Sequence, residues 1–294
     1  MSRSPEVIAV FGPTASGKTT VAEGIADRLG TGVVSADALQ VYCGLPVLTN
    51  QPERPTALVG IRSLSEEMSV GAYAPLAHAA IDELVTTRRS AVVAGGTGLY
   101  LRAALCDLGV PPAASAAERA RAEKAYDADP RGAYARLVAI DPAAATRVHP
   151  NDRRRVVRAL ELAAAGASLA PDRDHLWSTD VRRPTLVVGL ELERDVLEQR
   201  IRERTDVMFA RGVVEEVAGA VRGPISRTAA KALGLRELAD LSPADAFDRI
   251  VRRTCRYAAY QRKWMRRIPG IVLVDADRPA EEVADEILQL AGAR

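Results

Sequence analysis

The stretch Val7-Ile8-Ala9-Val10-Phe11-Gly12-Pro13-Thr14-Ala15-Ser16-Gly17-Lys18-Thr19 decides the fold. Five apolar residues end at a glycine, and Gly12 to Thr19 fit the pattern G-x-x-x-x-G-K-[ST]. The run therefore reads as a buried strand, a phosphate-cradling turn and a helix start. Gly12 and Gly17 let the backbone wrap, and Pro13, Thr14, Ala15 and Ser16 carry it round. Successive N–H groups and the positive helix N-terminus then point at phosphate oxygens. Lys18 adds a point charge, and the Thr19 hydroxyl is placed for Mg2+. The motif admits a nucleoside triphosphate, a nucleoside monophosphate pair or a diphosphate ester.

Outward from this stretch, short β-branched runs recur at 32–35, 91–94, 185–190 and 271–274, each bounded by Gly, Ser or Pro. Helix-like segments separate them at 17–29, 73–87, 99–106, 194–211 and about 243–267. Strands alternating with helices indicate an α/β fold, a P-loop NTPase-like parallel sheet with helices on both faces. From 109 to 179 no strand pattern appears, and Ala-, Arg- and Glu-rich helical stretches alternate with Pro111, Pro112, Pro130, Pro142, Pro150 and Pro171. This segment reads as an inserted helical lobe, 109–179, between the two parts of a catalytic core, 1–108 and 180–294.

The 294 residues carry 40 Lys plus Arg against 38 Asp plus Glu, a net charge of +2, with 48% hydrophobic residues. That composition excludes disorder, collagen and coiled-coil classes. Three cysteines, Cys43, Cys106 and Cys255, are far apart and lack Cys-x-x-Cys spacing, so neither a disulfide framework nor a zinc site is indicated. No stretch reaches membrane-spanning length and Met1 leads into no signal-peptide core, so a cytoplasmic monomer without a membrane partner is expected.

Two further features converge on the phosphate turn. The second strand ends in Ser35-Ala36-Asp37-Ala38-Leu39-Gln40-Val41-Tyr42, and the third in Gly95-Gly96-Thr97-Gly98-Leu99-Tyr100. In a parallel sheet the C-terminal strand ends share one crevice, so Asp37 and Thr97 face the phosphate site. Asp37 fits a general base, with a turn cap or an indirect magnesium contact as its other readings. Near-neutral total charge argues against an indiscriminate polyanion binder, yet the charge is unevenly spread. Residues 147–158 hold five arginines and one acid, and residues 251–270 hold seven basic residues and no acid. On a helix, Arg252, Arg256, Lys263 and Arg267 fall within about 60° of one another, beside Tyr257, Tyr260 and Trp264. A basic stripe beside aromatics suits an RNA backbone with unstacked bases. The alternative is a solvated helix whose aromatics pack on the sheet, and for Trp264 that is the expectation. His149, alone before Pro150, reads as structural.

Taken together, the chain resembles the bacterial tRNA dimethylallyltransferases, also called tRNA isopentenyltransferases. The resemblance runs through GPTASGKT (12–19), SADALQVY (35–42), SVGAY (69–73), AGGTGLYL (94–101), RVHPNDRRRVVRALE (147–161), MFARGVVEEV (208–217), KALGLREL (231–238) and TCRYAAYQRKWMRR (254–267). It implies transfer of the dimethylallyl group from dimethylallyl diphosphate to the N6 amine of adenosine at tRNA position 37, with release of diphosphate. Thr14 to Thr19 resemble the family's donor-binding set. Asp37, Ala38, Leu39, Gln40, Thr97, Arg119, Arg154, Arg155, Val156, Val157 and Arg158 resemble its tRNA-contacting set. An adenine amine is a weak nucleophile, so a carboxylate that takes its proton is needed, the role assigned to Asp37. Departing diphosphate builds negative charge that Lys18, the loop amides and Mg2+ near Thr19 can stabilise.

Cys43, Gln51, Cys255, Ala259 and Tyr260 depart from the usual family pattern, each lowering local positive charge. Competing readings are a small-metabolite or nucleotide kinase with the same loop, a prenyltransferase acting on free adenine nucleotides, and an RNA-binding protein with a vestigial site. Neither of the first two gives a role to the basic segments, and intact Asp37, Lys18 and Thr19 argue against the third.

Overall fold

The computed structural model describes residues 4–109, 115–170 and 175–292, so Pro111, Pro112 and Pro171 lie outside the described residues. Five strands form one parallel sheet: β1 (Val7–Phe11), β2 (Val33–Ser35), β3 (Ala91–Gly95), β4 (Thr185–Glu191) and β5 (Val272–Asp275), in the order β2-β3-β1-β4-β5. The all-parallel α/β sheet expected from the strand runs is therefore present, with each strand within one or two residues of its predicted position. Registers Val7↔Ala91 through Phe11↔Gly95 and Val7↔Thr185 through Phe11↔Gly189 put β1 between β3 and β4. The chain leaves β1 for the edge strand β2, returns to β3, then crosses to the far side. That reversal at β1 opens a crevice above the strand ends.

Successive strand residues point to opposite faces, and β1 is buried throughout, so both faces of the sheet are covered. Ile8, Val10, Val92, Val188 and Leu190 face a core built with α1 (Lys18–Leu29), α8 (Arg194–Ala210), α11 (Pro243–Met265) and α12 (Ala280–Leu290). Helices α2 (Val70–Arg88) and α3 (Gly98–Leu105) also contact β3. Helix α12 went unread in the sequence, although Val283, Ala284, Ile287 and Leu288 form a buried stripe at helical spacing. The short helices α9 (Val213–Ala220) and α10 (Leu235–Asp240) are likewise additions. Arg102 on α3 is 1% exposed and donates from Nε to the Leu176 carbonyl at 2.9 Å and from Nη2 to the Ser178 carbonyl at 2.7 Å. Those bonds tie the segment entering β4 to α3.

The chain folds as two compact units, one formed by Met1–Asp107 with Leu176–Arg294 and the other by Leu108–His175. The second unit is helical: α4 (Ala116–Ala128), α5 (Pro130–Ile140), α6 (Pro142–Ala145) and α7 (Arg153–Ala164). Its helix starts are legible in the sequence. Ser115 and Glu118 form a capping box, and Asp129, Asp141 and Asp152 cap α5, α6 and α7 with side-chain acceptors. Leu137, Ala144, Val156, Ala159 and Leu160 form its core. Among the described residues, no helix is long and apolar enough to cross a membrane.

Candidate active site

The turn of Gly12 to Thr19 has the charge and geometry that could take an anion. Helix α1 begins at Gly17, φ +80, with no side-chain cap and no acid in its first turn, so its positive N-terminus carries no internal counter-charge. Ala15 is held at φ +64, a region that L side chains seldom adopt. A Cβ on Gly12 would lie 2.5 Å from Ser16 Oγ and 3.2 Å from the Leu190 Cβ, so glycine lets the turn close without displacing them. Ser16 Oγ is itself buried without a hydrogen-bond partner, an orphan that an anion in the turn would satisfy.

Two cations and one carboxylate meet there. Lys18 Nζ donates to the Pro13 carbonyl at 3.2 Å. Arg204 on α8 donates to the Thr14 hydroxyl. Enclosure by protein lowers the Lys18 ammonium to about 8, with Asp37 opposing that fall and Arg204 adding to it. Burial also lowers Arg204, again opposed by Asp37. Sequence reasoning missed Arg204. Its signal was present, for it stands three residues after Ile201 and four before Met208, inside the stripe that α8 buries.

Asp37 follows β2, and its Oδ1 accepts the Leu39 N–H at 2.9 Å, closing an Asx turn. Thr97 Oγ1 accepts the Ala38 N–H at 3.2 Å, joining the two strand ends that the sequence placed in one crevice. Backbones approach closely here: a Cβ on Gly95 would lie 2.1 Å from the Ala36 carbonyl oxygen. Gln40 accepts from Ser35 Oγ at 2.9 Å and donates to the Asn50 carbonyl at 2.8 Å, so it braces the following loop. Gln51 donates to the Tyr42 carbonyl at 2.6 Å, and Cys43 to the Arg62 carbonyl at 3.1 Å. Both departures from the family pattern thus hold the loop rather than present charge.

Helix α11 closes the site. Tyr257 lies beside Thr97, and burial pushes its phenol up to about 12, a rise that Thr97 opposes. Trp264 packs on Gly98, where a Cβ would lie 2.3 Å from its ring, and its indole donates to Tyr260 at 2.7 Å. It also meets Trp177 at 4.8 Å between centroids, and Arg267 covers Trp177 at 3.9 Å. Trp264 therefore packs on the start of α3, just past the end of β3. Arg267 lies beyond the last residue of α11, so the expected four-residue basic stripe keeps only Arg252, Arg256 and Lys263 on the helix, all exposed.

An open cleft of about 800 Å³ has Thr14, Lys18, Thr19, Asp37 and Arg204 among its polar lining. Leu48, Ile201, Met208, Leu233 and Ile250 line it too, an apolar wall beside the cations. A second opening of about 360 Å³, with Ser35, Pro52, Thr56 and Gly95, shares Lys18, Thr19, Asp37 and Gln40 with the first. The acid and the loop lysine thus stand where two approaches meet.

The sequence pattern described as IPP transferase matches residues 40–268, and that described as isopentenyl transferase matches residues 5–62. The chain belongs to the IPP transferase family. It is 36% identical to the tRNA dimethylallyltransferase of Geobacter sulfurreducens, over 92% of each chain. It is 39% identical to that of Anaeromyxobacter dehalogenans strain 2CP-1, over 96% of this chain and 97% of the relative. The solved full-length tRNA isopentenylpyrophosphate transferase of Bacillus halodurans superposes with a TM-score of 0.70 at 30% identity, covering 98% and 96% of the two chains. A eukaryotic dimethylallyltransferase solved acting on tRNA gives 0.76 at 26% identity, over 93% and 74%.

In this IPP transferase the remaining expected residues lie in the helical unit. Arg154 and Arg155 are exposed on the first turn of α7. Arg119 Nε and Arg158 Nη1 each donate to a different oxygen of Glu161 at 3.1 Å, and Glu161 is 3% exposed. Val156 and Val157 are 0% and 5% exposed, their side chains packed within the unit's core, because the inward face of an amphipathic helix must be apolar. His149 Nδ1 accepts the Asn151 N–H at 3.2 Å, the structural role expected of it.

Proposed function

We propose that this chain transfers the dimethylallyl group of dimethylallyl diphosphate to the N6 amine of adenosine 37 in tRNA, with Asp37 as the base. Membership in the family carries the transferase activity. The observation that carries the assignment of roles is the meeting of Asp37 with Lys18 and Arg204 beside an apolar wall.

The diphosphate takes the turn of Gly12 to Thr19, beside Lys18 and Arg204, and the five-carbon tail takes the wall of Leu48, Met208 and Ile250. The amine enters by the other approach, past Gln40 to Asp37, whose turn Thr97 braces. As N6 attacks the allylic carbon, the carbon–oxygen bond to diphosphate breaks, the carbon–nitrogen bond forms, and the N6 proton passes to the Asp37 carboxylate. Charge accumulates on the leaving diphosphate, beside Lys18, Arg204 and the positive start of α1. The cradle thus holds a leaving group, unlike the transferred phosphoryl of a kinase.

Mg2+ fits this donor set. Among the described residues no group of three or more His, Cys, Asp or Glu is placed to hold a metal. In phosphate-binding loops a hydroxyl placed like that of Thr19 holds Mg2+ together with substrate phosphates. When bound, it would neutralise part of the diphosphate charge. Taking the base out of the anticodon loop costs a few kcal/mol of stacking, which basic contacts can offset. Arg154 and Arg155 supply such contacts.

Purified protein incubated with dimethylallyl diphosphate, Mg2+ and unmodified tRNA should yield prenyladenosine by nucleoside mass spectrometry. Absence of that product, with ATP-dependent phosphorylation of a small acceptor, overturns the reading. Two subsidiary outcomes are expected. Lys18 in the unliganded site carries its charge below about pH 8 and loses it above. The kcat/KM for the donor, which reports the free enzyme, should therefore decline as pH rises through that value. A profile flat up to pH 9.5 would remove Lys18 from diphosphate capture. The double change Arg154→Ala, Arg155→Ala should lower the slope of log K against log salt for tRNA by about 1–2. An unchanged slope would place those arginines away from RNA. Arg158 is left out of this test because losing it strips one partner from buried Glu161.

A further inference from the structure

Gln261 is buried, 3% exposed, yet carries a carboxamide whose two ends are both used. Its Oε1 accepts the Thr14 N–H at 2.8 Å, in the phosphate turn. Its Nε2 donates to the Gly96 carbonyl at 2.8 Å, in the turn after β3. An N–H at one end and a carbonyl at the other leave only one orientation of the amide. A Cβ on Gly96 would lie 2.3 Å from that nitrogen, so the contact also requires glycine there.

The same face of α11 makes the neighbouring contacts. Tyr257, Gln261 and Trp264 stand at i, i+4 and i+7, and they meet Thr97, Gly96 and Gly98 in turn. One helix thus reaches three consecutive residues of the β3 turn, and through Gln261 it also holds the phosphate turn.

We infer that Gln261 is a positioning residue that fixes the distance between the donor's diphosphate turn and the acceptor-side turn bearing Thr97. The inference rests on the placement of donor and amine given under Proposed function. Neither substrate needs the link in order to bind its own side. The in-line approach of N6 to the allylic carbon needs both sides in register, and misplacement of about 1 Å can cost 10²-fold in rate. The loss therefore falls on the chemical step.

The test uses Gln261→Met, which keeps length and burial but makes neither bond, and Gln261→Glu, which keeps an acceptor for Thr14 and loses the donor to Gly96. Single-turnover rates are measured with donor and tRNA saturating, together with the KM of each substrate and the melting temperature. Ile287→Ala, in the sheet core on α12, supplies a destabilised control whose turns stay linked. At a temperature where all variants are folded, Gln261→Met should lower the saturated rate by about 10-fold or more with both KM values within about 3-fold of wild type. Gln261→Glu should lose rate similarly and raise the donor KM as well, since its carboxylate adds charge beside the diphosphate turn. Ile287→Ala should keep its saturated rate. A wild-type rate in Gln261→Met, a loss confined to one KM, or an equal rate loss in Ile287→Ala overturns the inference. Wild-type protein that forms no prenyladenosine instead removes the functional reading beneath it.

Discussion

Asp37→Asn should lower the single-turnover rate of prenyl transfer by about 10²-fold or more, while tRNA binding stays near that of wild type. The asparagine keeps an oxygen where Asp37 Oδ1 accepts the Leu39 N–H, so the turn that aims the side chain survives. What is lost is the acceptor for the N6 proton. An adenine amine delocalises its lone pair into the ring, and attack without deprotonation leaves a cationic nitrogen. Asp37→Ala removes the turn acceptor as well, so it should be no more active than the asparagine variant. The exchange carries a second signature. The Asp37 charge raises Lys18, so its removal should move the alkaline limb of donor capture to lower pH. Full activity in Asp37→Asn would take the base role from this residue, and an unmoved limb would separate it electrostatically from Lys18.

Arg204→Ala should cost about 10²- to 10³-fold in kcat/KM for the donor, the usual range for losing one preorganised donor at a developing anion. Arg204 is desolvated and bonded to the Thr14 hydroxyl, so its guanidinium is held in place before substrate arrives. Arg204→Lys should recover little of this, because an ammonium cannot reproduce the planar fork that reaches both the loop and a phosphate. The unliganded protein should tolerate the alanine variant well, since a crowded cation next to Lys18 stabilises no fold. Calorimetry with inorganic diphosphate would check the effect without any turnover. Equal affinity for diphosphate in wild type and Arg204→Ala would place the arginine outside the donor site.

The fold was largely legible because its signals are local. Strand β1, the glycine turn and α1 are contiguous, and each strand is a short apolar run ended by turn residues, so position along the chain carries the information. The capped starts of α4, α5, α6 and α7 belong to the same class. Asp37 and Thr97 were placed together by one general rule, that parallel strand ends share a crevice. The Thr97 bond to the Ala38 N–H realises it. A motif names positions and not the direction in which a side chain points, so the burial of the α7 valines was not legible from it. Val156 and Val157 sit among arginines in sequence and beneath them in space.

The sequence alone determined the parallel α/β sheet, the anion-binding turn and the acid beside it, since each depends on residues near one another in the chain or on the handedness of strand connections. Only the tertiary structure decided which distant groups complete the site. Arg204 meets Thr14 across 190 positions, and Gln261 meets Thr14 across 247. It also decided that Arg267 rests on Trp177 and that Glu161 gathers Arg119 and Arg158. Such pairings are set by how helices pack on a finished sheet, and no periodicity along the chain records which helix face will meet which turn.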